Sequence, residues 1–367
     1  MSKRARSTLV LLFVSLAWVI GCSESKTPPV TSVPLEDLPS AYASAVCTAA
    51  DTCLGALMPI FVAGGDCETR YRELLANAAV PLFETAIARG SLGYDPTRVP
   101  ACMDAIATGG CDALAGGLLP AACEDALTGT VALGGACDLD AECLDDAACV
   151  QNTTCPGTCT ARGGPGHGCT RNDECQRGFV CDSTVCTAPP AEGQACQGPS
   201  APDCRIGLLC LGGNATRQGT CHTQAELFTA AVGAACGLQA GPWCQEGLAC
   251  VIQAVPAPGT PATFLCEAPV ASGAACQAGV PDPCPPTEYC TARLATGVID
   301  GTCTALPVGG EPCAVRLVGA TCAAGHACIA GTCRPLQANG GACGSAAECY
   351  SGVCTSGVCV APVVCTP

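Results

Sequence analysis

The sequence predicts small disulfide-rich modules in tandem, built from short β-hairpins and loops, preceded by a small disulfide-bonded α-helical domain. Three observations carry this expectation. There are 37 cysteines in 367 residues while aromatic residues make up 4%. A cysteine pattern recurs seven times after residue 132, and the stretch before it is rich in Ala and Leu at helical spacing. With so few large rings there is little apolar area for a core, and covalent cross-links replace part of it.

Residues 1–21 read as a signal peptide: Lys3, Arg4 and Arg6 precede an apolar run from Thr8 to Ile20. That run is shorter than the roughly 18 residues a spanning helix needs. Val19-Ile20-Gly21-Cys22 resembles the bacterial lipobox, which implies a lipoprotein whose Cys22 carries diacylglycerol and becomes the N-terminus. Several acyl chains anchor firmly where one holds only marginally. Ser23 after the lipidated cysteine points by the sorting rule to an outer membrane, with the chain facing outward from the cell envelope. Residues 22–36 carry three prolines among polar residues and read as a lipidated tether.

Residues 37–132 read as a cysteine-bearing α-helical domain. Ser40 to Leu57 predicts one helix with Cys47 and Cys53. Asp66 is an expected N-cap for a second, whose Tyr71, Leu74, Leu75 and Ala78 share a face, with Pro81 dividing it before Phe83, Ile87 and a stop at Gly90. Asp95-Pro96 is expected to open a third helix, ended by Gly109-Gly110, and short helical turns are expected at 111–118 and 121–127. Cys67, Cys102, Cys111 and Cys123 complete six cysteines, enough for three bridges.

Residues 133–367 read as seven cysteine-rich repeats, about 133–163, 164–190, 191–230, 231–270, 271–307, 308–337 and 338–367. Their cysteines are Cys137, Cys143, Cys149 and Cys159; Cys169, Cys175, Cys181 and Cys186; Cys196, Cys204, Cys210 and Cys221; Cys236, Cys244, Cys250 and Cys266; Cys276, Cys284, Cys290 and Cys303; Cys313, Cys322, Cys328 and Cys333; Cys343, Cys349, Cys354 and Cys359. Three residues before each first cysteine stands a glycine: Gly134, Gly166, Gly193, Gly233, Gly273, Gly310 and Gly340. A second glycine stands three after the second cysteine in five units, as Gly178, Gly207, Gly247, Gly325 and Gly352, where a tight turn is expected. The varying interval between third and fourth cysteines reads as a hairpin whose tip changes length. Four cysteines allow three connectivities; the interleaved one, first to third and second to fourth, is the expectation. Cys155 and Cys365 stand outside the pattern, to pair with each other or remain free.

The second unit, with Glu174 before Cys175 and Gly178 after it, resembles the N-terminal cysteine-rich domain of the Dickkopf family. The last unit shares Glu348 and Gly352; the first shares Glu142 but lacks the glycine, and Asp203 precedes Cys204 in the third. Dickkopf proteins are extracellular signalling antagonists. The resemblance implies a small disulfide-bonded recognition module, not that signalling role.

Other chemistries find less support. The net charge of −15 repels phosphate backbones, so no nucleic acid is expected as partner. No cysteine pair has the C-x-x-C spacing of a zinc ribbon, and neither metal nor cofactor is expected. Asp138, Asp140, Glu142, Asp145 and Asp146 lack the glycine and closing glutamate of a calcium loop and read as a solvated acidic face. His167, His222 and His326 stand in no hydrolase motif, so no catalytic residue is assigned. Asn152 and Asn214 fit the glycosylation pattern incidentally. The sequence thus reads first as a membrane-anchored, surface-exposed protein for binding, adhesion or envelope structure, with a protein or polysaccharide partner. A disulfide-braced protease inhibitor comes second and an extracellular enzyme third.

Overall fold

The computed structural model describes residues 31–55, 58, 67–114, 119–144, 147–150, 156–196, 203–213, 217–237, 241–254, 262–292, 298–316 and 319–362. Residues 1–30 with Cys22, and Asp66, Asp145, Asp146, Asn152, Cys155, Asn214 and Cys365, lie outside them. No helix among the described residues is long and apolar enough to cross a membrane.

The helical unit is built on α1 (Leu38–Leu54), in which Ala43, Ala45, Val46, Ala49 and Ala50 are buried. These small residues let α4 (Val99–Gly109) approach closely, and Val99, Cys102 and Ile106 pack into the same core with Tyr42, Tyr71 and Phe83 at its edge. Between them run α2 (Cys67–Leu74), a π-helical turn (Leu75–Ala79) and α3 (Val80–Arg89), the last stopped by left-handed Gly90 at φ 75°. The division falls where Pro81 predicts it. A proline supplies no N–H to the carbonyl four residues earlier, and the helix widens over the turn before it.

Two sequence expectations are corrected here. The third helix starts at Val99 rather than at Asp95-Pro96. The Asp95 carboxylate instead accepts the Thr97 N–H and hydroxyl in an Asx turn, and the Pro96 carbonyl accepts the Val33 N–H. That second bond carries the other correction: Val33, read as tether, is 6% exposed in the helical core, and the Tyr94 hydroxyl donates to its carbonyl. A small antiparallel sheet, β1 (Leu92–Tyr94) with β2 (Leu127–Gly129), which the sequence did not mark, also closes the helical unit. Three disulfides, Cys47–Cys67, Cys53–Cys111 and Cys102–Cys123, staple its helices.

Beyond it the chain forms hairpin modules in tandem, the predicted architecture. In the first unit, β3 (Ala136–Cys137), β4 (Ala147–Val150) and β5 (Gly157–Ala161) are ordered β3-β5-β4. The second is the hairpin β6 (Val180–Asp182) and β7 (Val185–Thr187). The third has β8 (Ala195–Cys196), β9 (Leu208–Leu211) and β10 (Gly219–Thr223), followed by a helical turn, α6 (Gln224–Leu227), after α5 (Cys111–Leu114) of the helical unit. The fourth pairs β11 (Ala249–Ala254) with β12 (Thr263–Glu267). The fifth has β13 (Ala275–Gln277), β14 (Gly279–Val280), β15 (Glu288–Cys290) and β16 (Asp300–Ala305). The sixth holds two hairpins, β17 (Ala314–Arg316) with β18 (Gly319–Thr321) and β19 (His326–Ile329) with β20 (Thr332–Pro335). The seventh ends with β21 (Cys354–Thr355) and β22 (Val358–Cys359).

One frame underlies all seven. The third and fourth cysteines stand directly opposite each other in the hairpin, from Cys149 facing Cys159 to Cys354 facing Cys359. Yet the third bonds the first and the fourth bonds the second: Cys137–Cys149 and Cys143–Cys159, Cys169–Cys181 and Cys175–Cys186, Cys196–Cys210 and Cys204–Cys221, Cys236–Cys250 and Cys244–Cys266, Cys276–Cys290 and Cys284–Cys303, Cys313–Cys328 and Cys322–Cys333, Cys343–Cys354 and Cys349–Cys359. The fourth cysteine is the centre of each unit, at most 3% exposed in every one.

The recurrent glycine follows from the same frame. Gly134, Gly166, Gly193, Gly233, Gly273, Gly310 and Gly340 all have φ between 69° and 90°. In each unit the fourth cysteine donates its N–H to the carbonyl of the residue after that glycine. In six units the glycine N–H also donates to the fourth cysteine's carbonyl, as Gly134 does to Cys159 at 2.8 Å. Only a left-handed turn directs both groups to one strand edge, and an L side chain there costs about 1–2 kcal/mol. Nothing lies within 4 Å of an added Cβ at any of the seven. The constraint is therefore conformational, not steric.

Candidate binding cleft and module joints

The units are joined by named side chains. Glu142 is the first of these, with a side chain 2% exposed. It ends a 3-10 turn (Asp140–Glu142) whose tight path brings its carboxylate back to the chain just after Cys137. One oxygen accepts the N–H groups of Asp138 and Leu139, and the other accepts from Arg89 at 2.9 Å and from the Ser91 hydroxyl, both on the helical unit. Burial alone would raise its pKa; the Ser91 hydroxyl, the two backbone N–H groups and Arg89 outweigh that and lower it. Glu348 repeats the device, accepting the Gly344 N–H at 2.9 Å and Arg334 of the sixth unit at 3.0 Å. Glu174 accepts the Thr170 N–H at 2.7 Å and its hydroxyl at 2.6 Å. In all three units the glutamate before the second cysteine holds the N–H that follows the first.

The reading of the acidic cluster as a solvated face is thus corrected for its described members, Asp138, Asp140 and Glu142. Asp138 pairs with Arg89 and is 14% exposed, and Asp140 accepts the Cys149 N–H at 2.6 Å. Asp140 faces Asp173 of the second unit, with Arg171 and Arg162 beside them. Its pKa is raised to about 6, first by burial and then by the Asp173 carboxylate, against the pull of the Cys149 N–H and Arg162. Arg171 also donates to the Cys149 carbonyl at 3.0 Å, locking the second unit to the first.

Further joints bring later units onto the helical unit. Arg177 of the second unit donates to the Leu119 carbonyl and to Glu124, and Arg205 of the third pairs with Asp112. Gly207 packs against the Cys53–Cys111 disulfide, where an added Cβ would collide with the Cys111 sulfur, and Gln224 donates to the Cys53 carbonyl at 2.7 Å. The fourth and fifth units share a sheet in the order β12-β11-β14. From the far end of the chain, Asn339 of the seventh unit donates its backbone N–H to the Asn77 side-chain oxygen at 3.0 Å and its amide to the Asn77 carbonyl at 2.8 Å. That carbonyl is the one to which Pro81 offers no N–H.

Where the second and third units meet the helical unit they leave a cleft of about 640 Å³. Ala105, Pro120, Phe179, Val180 and Pro189 form its apolar walls, and Arg177, Arg205 and Asp112 bring the charge. The volume falls within the range of small-molecule and side-chain pockets. No single segment of the sequence marks it, because its walls come from three units. Pro120 and Pro189 among its lining are its nearest sequence signal.

Other sequence-singled residues are placed apart from the cleft. His167 is exposed in the turn before Cys169, His222 lies 3.1 Å from Glu226, and His326 contacts the Ala324 carbonyl. In the first five units the sulfurs of the first, second and fourth cysteines lie within 4.8 Å of one another, but each is spent in a disulfide rather than presented as a thiolate ligand. The fold and its cross-links define a tandem cysteine-rich protein of the extracellular or secreted kind. No family model, curated protein or solved structure matches the chain.

Proposed function

We propose that this is a membrane-anchored surface lipoprotein that binds or scaffolds without catalysis. In this reading Cys22 carries the lipid, probing of the surroundings falls to the modules, and the partner is a protein or polysaccharide of the envelope or of a neighbouring cell. The observation that supports it is one disulfide frame repeated seven times while the loops it carries change length: what stays constant is the support, and what varies is what is displayed. The cleft beside Phe179 and Arg205 offers such a partner a concave seat. Two measurements test this. Cys22→Ser should move the protein from the membrane to the soluble fraction, and the purified chain should bind intact cells or envelope polymers saturably; absence of saturable binding overturns the binding role.

One observation favours a protease inhibitor as the second reading. The paired strands β17 and β18 stand between Cys313 and Cys322 in the chain, each end held by a disulfide, with Val315 71% exposed. Tight one-to-one inhibition of a protease, abolished by changing this hairpin, would select it.

A further inference from the structure

The sulfurs of a unit are unequally placed. In the first five units the first, second and fourth lie within 4.8 Å of one another, which leaves the third as the outer member. Its cover differs between units. Cys149, Cys250 and Cys290 are buried; Cys181, Cys210 and Cys354 are half-buried; Cys328 is exposed, and among the described residues no other cysteine is. The covers are visible: Arg171 reaches over Cys149 from the next unit, and β14 of the fifth unit pairs along Cys250. In the sixth unit the β19–β20 hairpin has a two-residue tip, Ala330-Gly331, at φ 49° and 80°. The tie to the seventh unit runs through Arg334 on β20 and Glu348 and leaves Cys328 open.

We propose that the Cys313–Cys328 disulfide is a thiol-exchange site, the point at which a small thiol such as glutathione enters the cysteine-rich array. Exchange needs in-line access of a thiolate to one sulfur; burial denies it at Cys149, Cys250 and Cys290 and restricts it at the half-buried Cys181, Cys210 and Cys354. The external thiolate attacks Cys328 Sγ; the new bond joins it to Cys328, the Cys313–Cys328 bond breaks, and its electron pair leaves on Cys313. A second thiolate then attacks the external sulfur of that mixed disulfide and releases the Cys328 thiolate. Two thiols are oxidised to one external disulfide, and two protein thiols appear once both thiolates take protons. Ala314, the first residue of β17, follows Cys313 directly, so opening this bond releases one foot of the β17–β18 hairpin. Cys322–Cys333 still holds the other.

The test uses the full-length chain. It is exposed to graded glutathione at neutral pH, trapped with an alkylating reagent and mapped by peptide mass spectrometry. Alkylation at Cys313 and Cys328, with a trapped glutathione adduct on Cys328, is expected at about tenfold lower glutathione than at any other described pair. The double variant C313S/C328S should lose that low-threshold event and keep the thresholds of the remaining pairs. Opening of another pair first, uniform opening of all units, or low-threshold labelling that survives in the double variant would each overturn the proposal. The wild-type map decides it alone if the variant does not fold.

Discussion

Replacing Glu142 by Ala removes the acceptor shared by two backbone N–H groups, the Ser91 hydroxyl and Arg89. Hydrogen bonds to a charged group are worth about 1.5–3 kcal/mol each, and breaking a buried charge pair costs about 3–5 kcal/mol. Arg89 is 45% exposed and regains water when its partner is lost, which puts the cost at the lower end. The expected destabilisation of the first joint is about 3 kcal/mol, or roughly a hundredfold in a local opening constant. Hydrogen exchange at the Asp138 and Leu139 amides reads it directly. The comparison is Glu124→Ala, whose pair with Arg177 leaves Glu124 55% exposed and is worth at most about 1 kcal/mol. If Glu142→Ala leaves exchange at Asp138 and Leu139 within about twofold of wild type, the role assigned to this carboxylate is wrong. The pH dependence has a definite sign. The folded pKa of Glu142 is depressed, so its contribution is present above the unfolded carboxylate pKa and is lost as pH falls through the folded value.

Asp140, two residues away, behaves oppositely: its folded pKa is raised to about 6, so its contribution is full below the unfolded pKa and is lost as pH rises through about 6. Carboxyl NMR titration should find that value, and Asp173→Asn should lower it. Gly134→Ala should cost about 1–2 kcal/mol through φ alone, measured as faster exchange at the Cys159 amide; an unchanged rate would show that the turn tolerates a side chain. Asn339→Ala leaves the buried Asn77 carbonyl short of a donor at a cost of about 1–3 kcal/mol, and protection should fall around residues 77–82 and 339 together. Full reduction should collapse residues 133–367, since loops of this size contribute about 3 kcal/mol per bridge in the chain-entropy model; native exchange protection surviving there would refute it.

The repeat was legible because its constraints are local. A left-handed turn three residues before a cysteine admits little but glycine, and a hairpin carrying the third and fourth cysteines needs only turn residues between them. The helical unit was partly legible: Pro81 and Gly90 mark breaks that any helix must respect. Its third helix was misplaced because Asp95 and Pro96 suit a turn as well as an N-terminus, and the competing Asx turn won. Glu142 read as solvent-facing because a charged residue among aspartates usually is. Its burial depends on Arg89 and Ser91, some fifty positions earlier in the chain.

The sequence alone therefore determined the module frame and the cross-link density. Backbone conformation and loop closure act over the few residues between neighbouring cysteines, where spacing and glycine placement state the answer. Tertiary structure alone decided how units join: which carboxylate is buried at a joint, that Asn339 returns to the carbonyl left short by Pro81, and which disulfide stays open to solvent. Those outcomes depend on desolvation and on donors brought from distant segments, and no local pattern encodes them.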